Sequence, residues 1–289
     1  DKMKPFDRTL TCLAVVTATF AAFRGVRKKS LSKSGAMVAW IVGVLSVGSG
    51  LRGYVLLFFY QIASTATKYR KEWKEGLDAT AAEGSIRGPS QVLACSALAI
   101  FLTLLHVVLV GEEQPIDFQQ NYLAASLTCA ILAHHASCLA DTLASELGIL
   151  ATAPPFLVTK PWLTVPPGTN GGITPWGTFM SIVGGALMGL GMAAMDWCSG
   201  IKPVKWISLV ILGTLSGFTG SLLDSLLGAT FQATYINPEN HAVYHKALAA
   251  NFKHISGWDV LTNVQVNLVS IIVTSAIGGG VLGPLIFDA

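Results

Sequence analysis

The chain has 289 residues, of which 52% are hydrophobic and only 12% charged, with a mean hydropathy of +0.57 and a formal net charge of +3. That balance excludes an ordinary soluble domain and points to membrane helices. The basic residues are too few and too dispersed for a nucleic-acid reader, which needs a basic stripe and a reading motif.

The apolar residues fall in blocks of about 14 to 23, against the roughly 17 to 25 that cross a hydrocarbon core. They predict an all-α, polytopic transmembrane helix bundle of about eight spans, one domain over 1–289. The helices are expected near 9–23, 36–50, 53–66, 90–110, 120–140, 174–195, 206–227 and 264–286. Shorter blocks must tilt, extend into polar flanks or stay inside the bundle.

Taken in chain order, Lys2, Lys4 and Arg8 before the first block mimic a signal peptide. Arg24, Arg27, Lys28, Lys29 and Lys33 then follow as a stop-transfer flank, so that block is read as a retained helix. Threading eight helices places loops 24–35, 67–89, 141–173 and 228–263 on one side with most of the Lys and Arg, whereas loop 111–119 holds Glu112, Glu113 and Asp117 and no base. By the positive-inside rule the first side is cytosolic. The polar and Gly-rich sequences of loops 67–89, 141–173 and 228–263 also gather there, so it is the expected working face.

Before the fourth helix, Lys68, Arg70, Lys71 and Lys74 suit either acidic headgroups and triphosphate or a plain positive-inside flank. Arg87 and Gln91 lie nearer the bundle and are the better phosphate candidates. After the fifth helix, Asp141, Ser145 and Gly148 share one stripe and Thr142 with Glu146 the adjacent one. Two acids a turn apart can hold Mg²⁺, which keeps waters and takes carboxylates plus substrate phosphates; a helix cap with a solvated Glu is the alternative. Pro166-Pro167-Gly168-Thr169-Asn170-Gly171-Gly172 is stiff, then permissive, and can present backbone N–H groups to an anion or simply turn between helices.

The seventh helix aligns Gly213, Gly217, Gly220, Asp224 and Gly228 on one face. The glycines read as close helix packing. Asp224 reads as functional, because an acid inside a membrane segment is costly. The eighth helix repeats the spacing with Asn263, Asn267, Ser270, Thr274 and Gly278, a polar stripe that must face a partner helix or a cavity. Cys12, Cys95, Cys129, Cys138 and Cys198 show no CxxC and no His at ligand spacing, so they read as packing residues. His134, His135, His241, His245 and His254 have no metal spacing and receive no role.

Lys28-Lys29-Ser30-Leu31, Thr67-Lys68, Glu83-Gly84-Ser85-Ile86-Arg87 with Gln91-Val92, Asp141 to Gly148, Pro167 to Gly172, Gly220 to Thr230 and Ile255-Ser256-Gly257 through Asn267 occur in that order. The ordered set resembles the membrane family called domain of unknown function 92, from about residue 24 to the C-terminus. Members of that family include an animal transmembrane protein, a plant glucose-responsive regulator and a phytyl-phosphate kinase, and the Thr-Asn-Gly-Gly loop with Ala-Ser-Glu-Leu-Gly is more similar to the first two. The kinase member implies phosphoryl transfer from a nucleoside triphosphate to an isoprenoid monophosphate, chemistry that is mostly positioning and charge stabilisation. The sequence departs from the family at Leu143, where Trp is usual, at Leu163, where Lys is common, and at Thr262, where a carboxylate is usual. The missing carboxylate at 262 implies weaker metal binding there, with Asp259 the nearest acid.

The expected function is a membrane-embedded isoprenoid (phytyl or prenyl) monophosphate kinase using Mg²⁺ and CTP or ATP. Asp141, Glu146 and Asp224 are the expected catalytic and metal residues. Lys68, Arg87, Gln91, Ser145, Gly168, Thr169, Asn170, Gly171, Gly172, Asn263 and Asn267 are expected to bind phosphate and substrate. The alternative is a transporter, flippase or non-enzymatic regulator using the same polar helices as a path. Expected partners are an isoprenoid lipid phosphate, a nucleotide and membrane lipids, with homodimerisation left open. The expected location is a multi-pass site in the endoplasmic reticulum, plasma membrane or plastid envelope.

Overall fold

The computed structural model describes residues 4–77, 86–239, 242–246 and 251–288. The helices are α1 (Arg8–Arg27), α2 (Lys33–Ser49), α3 (Tyr54–Lys68), α4 (Lys71–Leu77), α5 (Pro89–Ala94), α6 (Ala97–Leu109), α7 (Tyr122–Gly148), α8 (Pro175–Cys198), α9 (Trp206–Phe231), α10 (Asn263–Ile277) and α11 (Gly283–Phe287). A π-helical turn, Gly278–Leu282, joins the last two into one rod. Side chains at the entrances explain several starts. Asp7, Ser32 and Thr174 each accept a backbone N–H of the first turn, and Pro175 occupies a position whose missing N–H costs nothing. Thr262 forms a reciprocal capping box with Gln265. The hydroxyl at 262 therefore starts α10.

Among the described residues five stretches are long and apolar enough to span a membrane: α1, α7, α8, α9 and Asn263–Phe287. α2 and α6 are apolar but shorter, and α3 has 15 residues. Of the about eight expected spans, five are long enough to cross, and the shorter apolar helices pack among them. The block at 90–110 is not one helix, because α5 ends at Ala94 and the backbone of Ser96 leaves helical geometry before α6. Trp176 and Trp197, both exposed, stand about 30 Å apart along α8 at its rise per residue. That separation matches the hydrocarbon core and sets an indole at each interface.

The bundle also carries strands, so the all-α expectation needs a correction. Strands β1 (Phe156–Leu157), β2 (Lys160–Thr164) and β3 (Gly172–Ile173) form an antiparallel sheet in the order β2-β1-β3. Strands β4 (Thr234–Ile236), β5 (Val243–Tyr244) and β6 (Lys253–Ser256) form a second, in the order β5-β4-β6. Both lie in the loops read as polar and Gly-rich, 141–173 and 228–263. Pro154, Pro155, Pro166 and Pro167 bar a helix there, and pairing into short ladders meets the backbone hydrogen-bonding demand instead.

α7 is the central pillar, mostly buried and packed by α3, α6, α8, α9 and α10. The glycine face of α9 serves close packing, as its spacing implies. A Cβ on Gly213 or Gly217 would meet the backbone of Gly185 in α8, and one on Gly220 would meet Ser137 of α7 and Thr274 of α10. Gly185→Ala drives its methyl into the Gly213 carbonyl, and an expected loss of about 3 kcal/mol follows from overpacking. Thermal unfolding in detergent reads it against Gly76→Ala, where the added methyl meets open space.

Candidate functional site

One cavity of about 1000 Å³ opens where the ends of α3, α7, α9 and α10 meet both sheets. Asp141, Ser145, Glu146, Asp224, Arg87, Gln91, Gly168 to Gly172, Asn263 and Asn267 all line it. Three separated stretches of sequence, 67–89, 141–173 and 228–263, reach this one space. Lys68 does not line it; its ammonium donates to the Lys28 carbonyl and ties the end of α3 to the α1–α2 turn. Glu83, Gly84, Ser85 and His241 lie outside the described residues.

Asp141 on α7 faces Asp224 and Ser221 on α9. Asp224 Oδ2 accepts from Ser270 Oγ at 3.1 Å, and with the Asn267 amide turned so that its nitrogen faces the acid, that nitrogen donates to Asp224 Oδ2 at 2.8 Å and to the Asn263 carbonyl at 3.2 Å. The polar stripe of α10 therefore meets the single acid of α9, which aims and partly screens it. Ser145 donates to the Asp141 and Thr142 carbonyls at 2.9 and 3.2 Å, so its hydroxyl is engaged with its own helix.

Glu146 takes a different partner from the two aspartates. Lys74 on α4 is 4% exposed and donates to Glu146 Oε2 at 2.5 Å, to the Thr67 carbonyl at 2.8 Å and to the Ala66 carbonyl at 3.1 Å. Its charge thus also caps the carbonyl end of α3. Arg87 sits beside it: Nη1 donates to Ser64 at 3.1 Å and Nη2 to Thr67 at 3.4 Å. The Arg87 backbone is itself clamped, with Ser32 N donating to its carbonyl and its own N–H to the Ser30 carbonyl. That clamp gives the Lys28 to Leu31 segment a physical reason to accompany Arg87. Thr67 joins the two cations, Lys74 through its carbonyl and Arg87 through its hydroxyl.

The glycine loop is more committed than an open anion nest. Thr169 N donates to the Pro166 carbonyl, Gly172 N to the Thr169 carbonyl and Asn170 N to Thr234 Oγ1. At most the N–H groups of Gly168 and Gly171 remain for an anion. Gly171, at φ +72°, lies where a Cβ would strike Ala229 and the Ser225 carbonyl, so the loop is pressed onto α9 one turn beyond Asp224. Asn170 Nδ2 further meets His245 Nδ1 at 3.1 Å and the Ala233 carbonyl at 3.3 Å. This loop fixes the floor of the cavity against the second sheet.

Among the described residues no three His, Cys, Asp or Glu side chains converge as a metal cluster. Asp141 and Asp224 form a pair, and Glu146 stands apart on Lys74. The sequence left Lys74 between a base for acidic headgroups or triphosphate and a plain positive-inside flank, and gave no sign of its burial, because the apolar run that buries it belongs to other elements. It also passed over Arg52 and Asp196, 8% and 3% exposed, which form a bidentate pair at the opposite end of α3 (Nε–Oδ1 2.6 Å, Nη2–Oδ2 3.1 Å). A charge at the edge of each of two apolar blocks was the available signal.

Comparison with known proteins agrees with this architecture. The family model described as integral membrane protein DUF92 matches residues 16–275. Protein PGR of Arabidopsis thaliana is 35% identical over 268 residues, 91% of this chain and 92% of its own. An uncharacterized membrane protein of Synechocystis sp. is 31% identical over 207 residues (71% and 73%). One of Methanocaldococcus jannaschii is 27% identical over 253 residues, 83% of each. No solved structure matches. With five helices able to span and a match over most of its length, the chain belongs to the DUF92 family of integral membrane proteins.

Proposed function

We propose that the protein is a lipid-phosphate kinase that transfers the terminal phosphoryl group of CTP or ATP to an isoprenoid monophosphate, with the cavity open to the cytosolic side. One observation carries the reading. Asp141 and Asp224 face each other with no cation among the described residues, while Arg87 on the same cavity is held by hydroxyls and no carboxylate. Uncompensated charges of both signs call for a ligand carrying both, and a metal-bound phosphate is such a ligand. Two carboxylates in a roomy, oxygen-rich site fit Mg²⁺, which retains waters and bridges to phosphate.

When bound, the metal would neutralise charge on the phosphates in flight. The residues of this chain do the rest. Asp141 and Asp224 would hold the cation, with Ser270 and Asn267 aiming Asp224. Arg87 and Lys74, joined at Thr67, receive the phosphates, and the N–H groups of Gly168 and Gly171 add donors. A lipid phosphate oxygen then attacks the terminal phosphorus as its bond to the bridging oxygen breaks, giving lipid diphosphate and nucleoside diphosphate. Ala39, Val42, Leu57 and Phe59 continue the same cavity as an apolar wall for the tail. Glu146 is the weakest of the three acids as a metal ligand, since Lys74 already occupies it.

Binding of phytyl or farnesyl monophosphate to purified protein tests the reading. Arg87→Gln is expected to weaken it about 10- to 100-fold, the range for losing a charge-assisted hydrogen bond. Unchanged affinity in folded Arg87→Gln would remove the phosphate site from this cavity.

A further inference from the structure

At the other end of α3 from the main cavity lies a second space of about 40 Å³, walled by residues of α2, α6 and α7 and by the Arg52 turn. His106 and His135 line it, 7% and 3% exposed, and each has a ring nitrogen with no partner among the described residues: His106 Nε2 and His135 Nδ1. A buried polar nitrogen left unmatched is destabilising, and a polar space of this size has room for water. Glu113, in the loop after α6, and Thr128 complete the wall.

From this chamber polar groups continue around α7 toward the end of α5. His135 stands edge-on to His134, ring centroids 5.1 Å apart. His134 is fully buried, leaves Nδ1 unmatched and sets Nε2 3.0 Å from the carbonyl of Cys95, a residue that lines the main cavity. Histidines with free nitrogens inside a membrane bundle are expensive to keep, and proton relays are the use to which such residues are put.

We infer that His106, His135 and His134, with water in the chamber, form a proton path joining the far-face loop to the main cavity. Each imidazole takes a proton on its free nitrogen and releases one from the other, so one proton enters at Glu113 for each that leaves past Cys95. The charged and titratable groups around the path are Arg52 from the turn before α3, Asp196 from α8, Glu113 from the loop, Cys129 and Cys138 on α7, and Cys95. The guanidinium of Arg52 stays locked to Asp196, which keeps its charge from closing the route.

The test uses purified protein in phosphatidylcholine vesicles, with a pH dye inside and a potassium potential set by valinomycin. Neither nucleotide nor isoprenoid monophosphate is present, so the outcome is independent of the kinase reading. Acidification is expected at least about fivefold above protein-free vesicles and lost in both His135→Gln and His134→Gln. Glutamine keeps size and hydrogen bonding but carries no titratable proton. His106→Gln replaces either variant if gel filtration shows that it does not fold. Wild-type flux equal to protein-free vesicles overturns the path, as does flux that survives in a folded variant; the chamber is then a hydrated packing feature only.

Discussion

Asp224→Asn is expected to lower phosphoryl transfer by about 10²- to 10³-fold, the scale for removing one preorganised electrostatic group at a transferring centre. The substitution keeps the shape of the side chain and an oxygen for Ser270, whose hydroxyl lies 3.1 Å from Oδ2. It removes the negative charge that, with Asp141, would hold the cation. Folding should survive, because an amide in this place relieves the repulsion of two facing acids rather than orphaning a buried partner. Asp141→Asn should act alike, and the double variant should be little worse than either, since both serve one cation. Initial rates with a lipid monophosphate acceptor provide the measurement. Full activity in either single variant contradicts the site.

The largest stability effect is expected at the other end of the bundle. Arg52→Ala should cost about 3–5 kcal/mol, because it leaves Asp196 charged, buried and unpaired. The guanidinium also donates to the Gln114 carbonyl at 2.9 Å and to Thr128 at 3.4 Å, and the Arg52 N–H reaches Glu113 Oε1 at 2.8 Å. It therefore ties the loop after α6 to α7 and α8. Burial holds the Glu113 carboxyl above its ordinary range, with Arg52 pulling it back. The double variant Arg52→Met with Asp196→Leu should recover most of the loss, since no buried charge then remains. Thermal unfolding of the three proteins in one detergent separates the cases. An Arg52→Ala protein as stable as wild type would show that water reaches the pair.

Much of the single-helix information was legible in the sequence. The spacing of Gly213, Gly217, Gly220 and Asp224 places them on one face of α9, and that face does press on α8, α7 and α10. The stripe Asn267, Ser270 and Thr274 likewise meets the acid and the small residues of α9. Periodicity names a face; it does not name what lies across from it. Lys74 with Glu146 and Arg52 with Asp196 join positions 72 and 144 residues apart, and nothing local to either partner names the other. The two sheets were hidden for another reason. Strands of two to five residues are too short to show alternation, and proline marks only where a helix fails. The glycine loop lines the cavity, but its N–H groups are largely spent on its own turn and on Thr234.

The departures at 143, 163 and 262 also gain physical meaning. Leu143 is buried in the main core, where an indole would need more room and a partner for its N–H. Thr262 caps α10. Leu163 lies on β2 beside Trp162, which is 82% exposed, so this strand offers an apolar edge rather than a charge to its surroundings.

The measurement that tests the central claim most directly is transfer of label from γ-labelled CTP, and in parallel ATP, to phytyl, farnesyl and geranylgeranyl monophosphate by the purified protein with Mg²⁺. Labelled lipid diphosphate that forms with wild type and vanishes with Asp224→Asn is the predicted result. Absence of transfer from both donors to all three acceptors, in protein shown to be folded, would contradict the kinase reading.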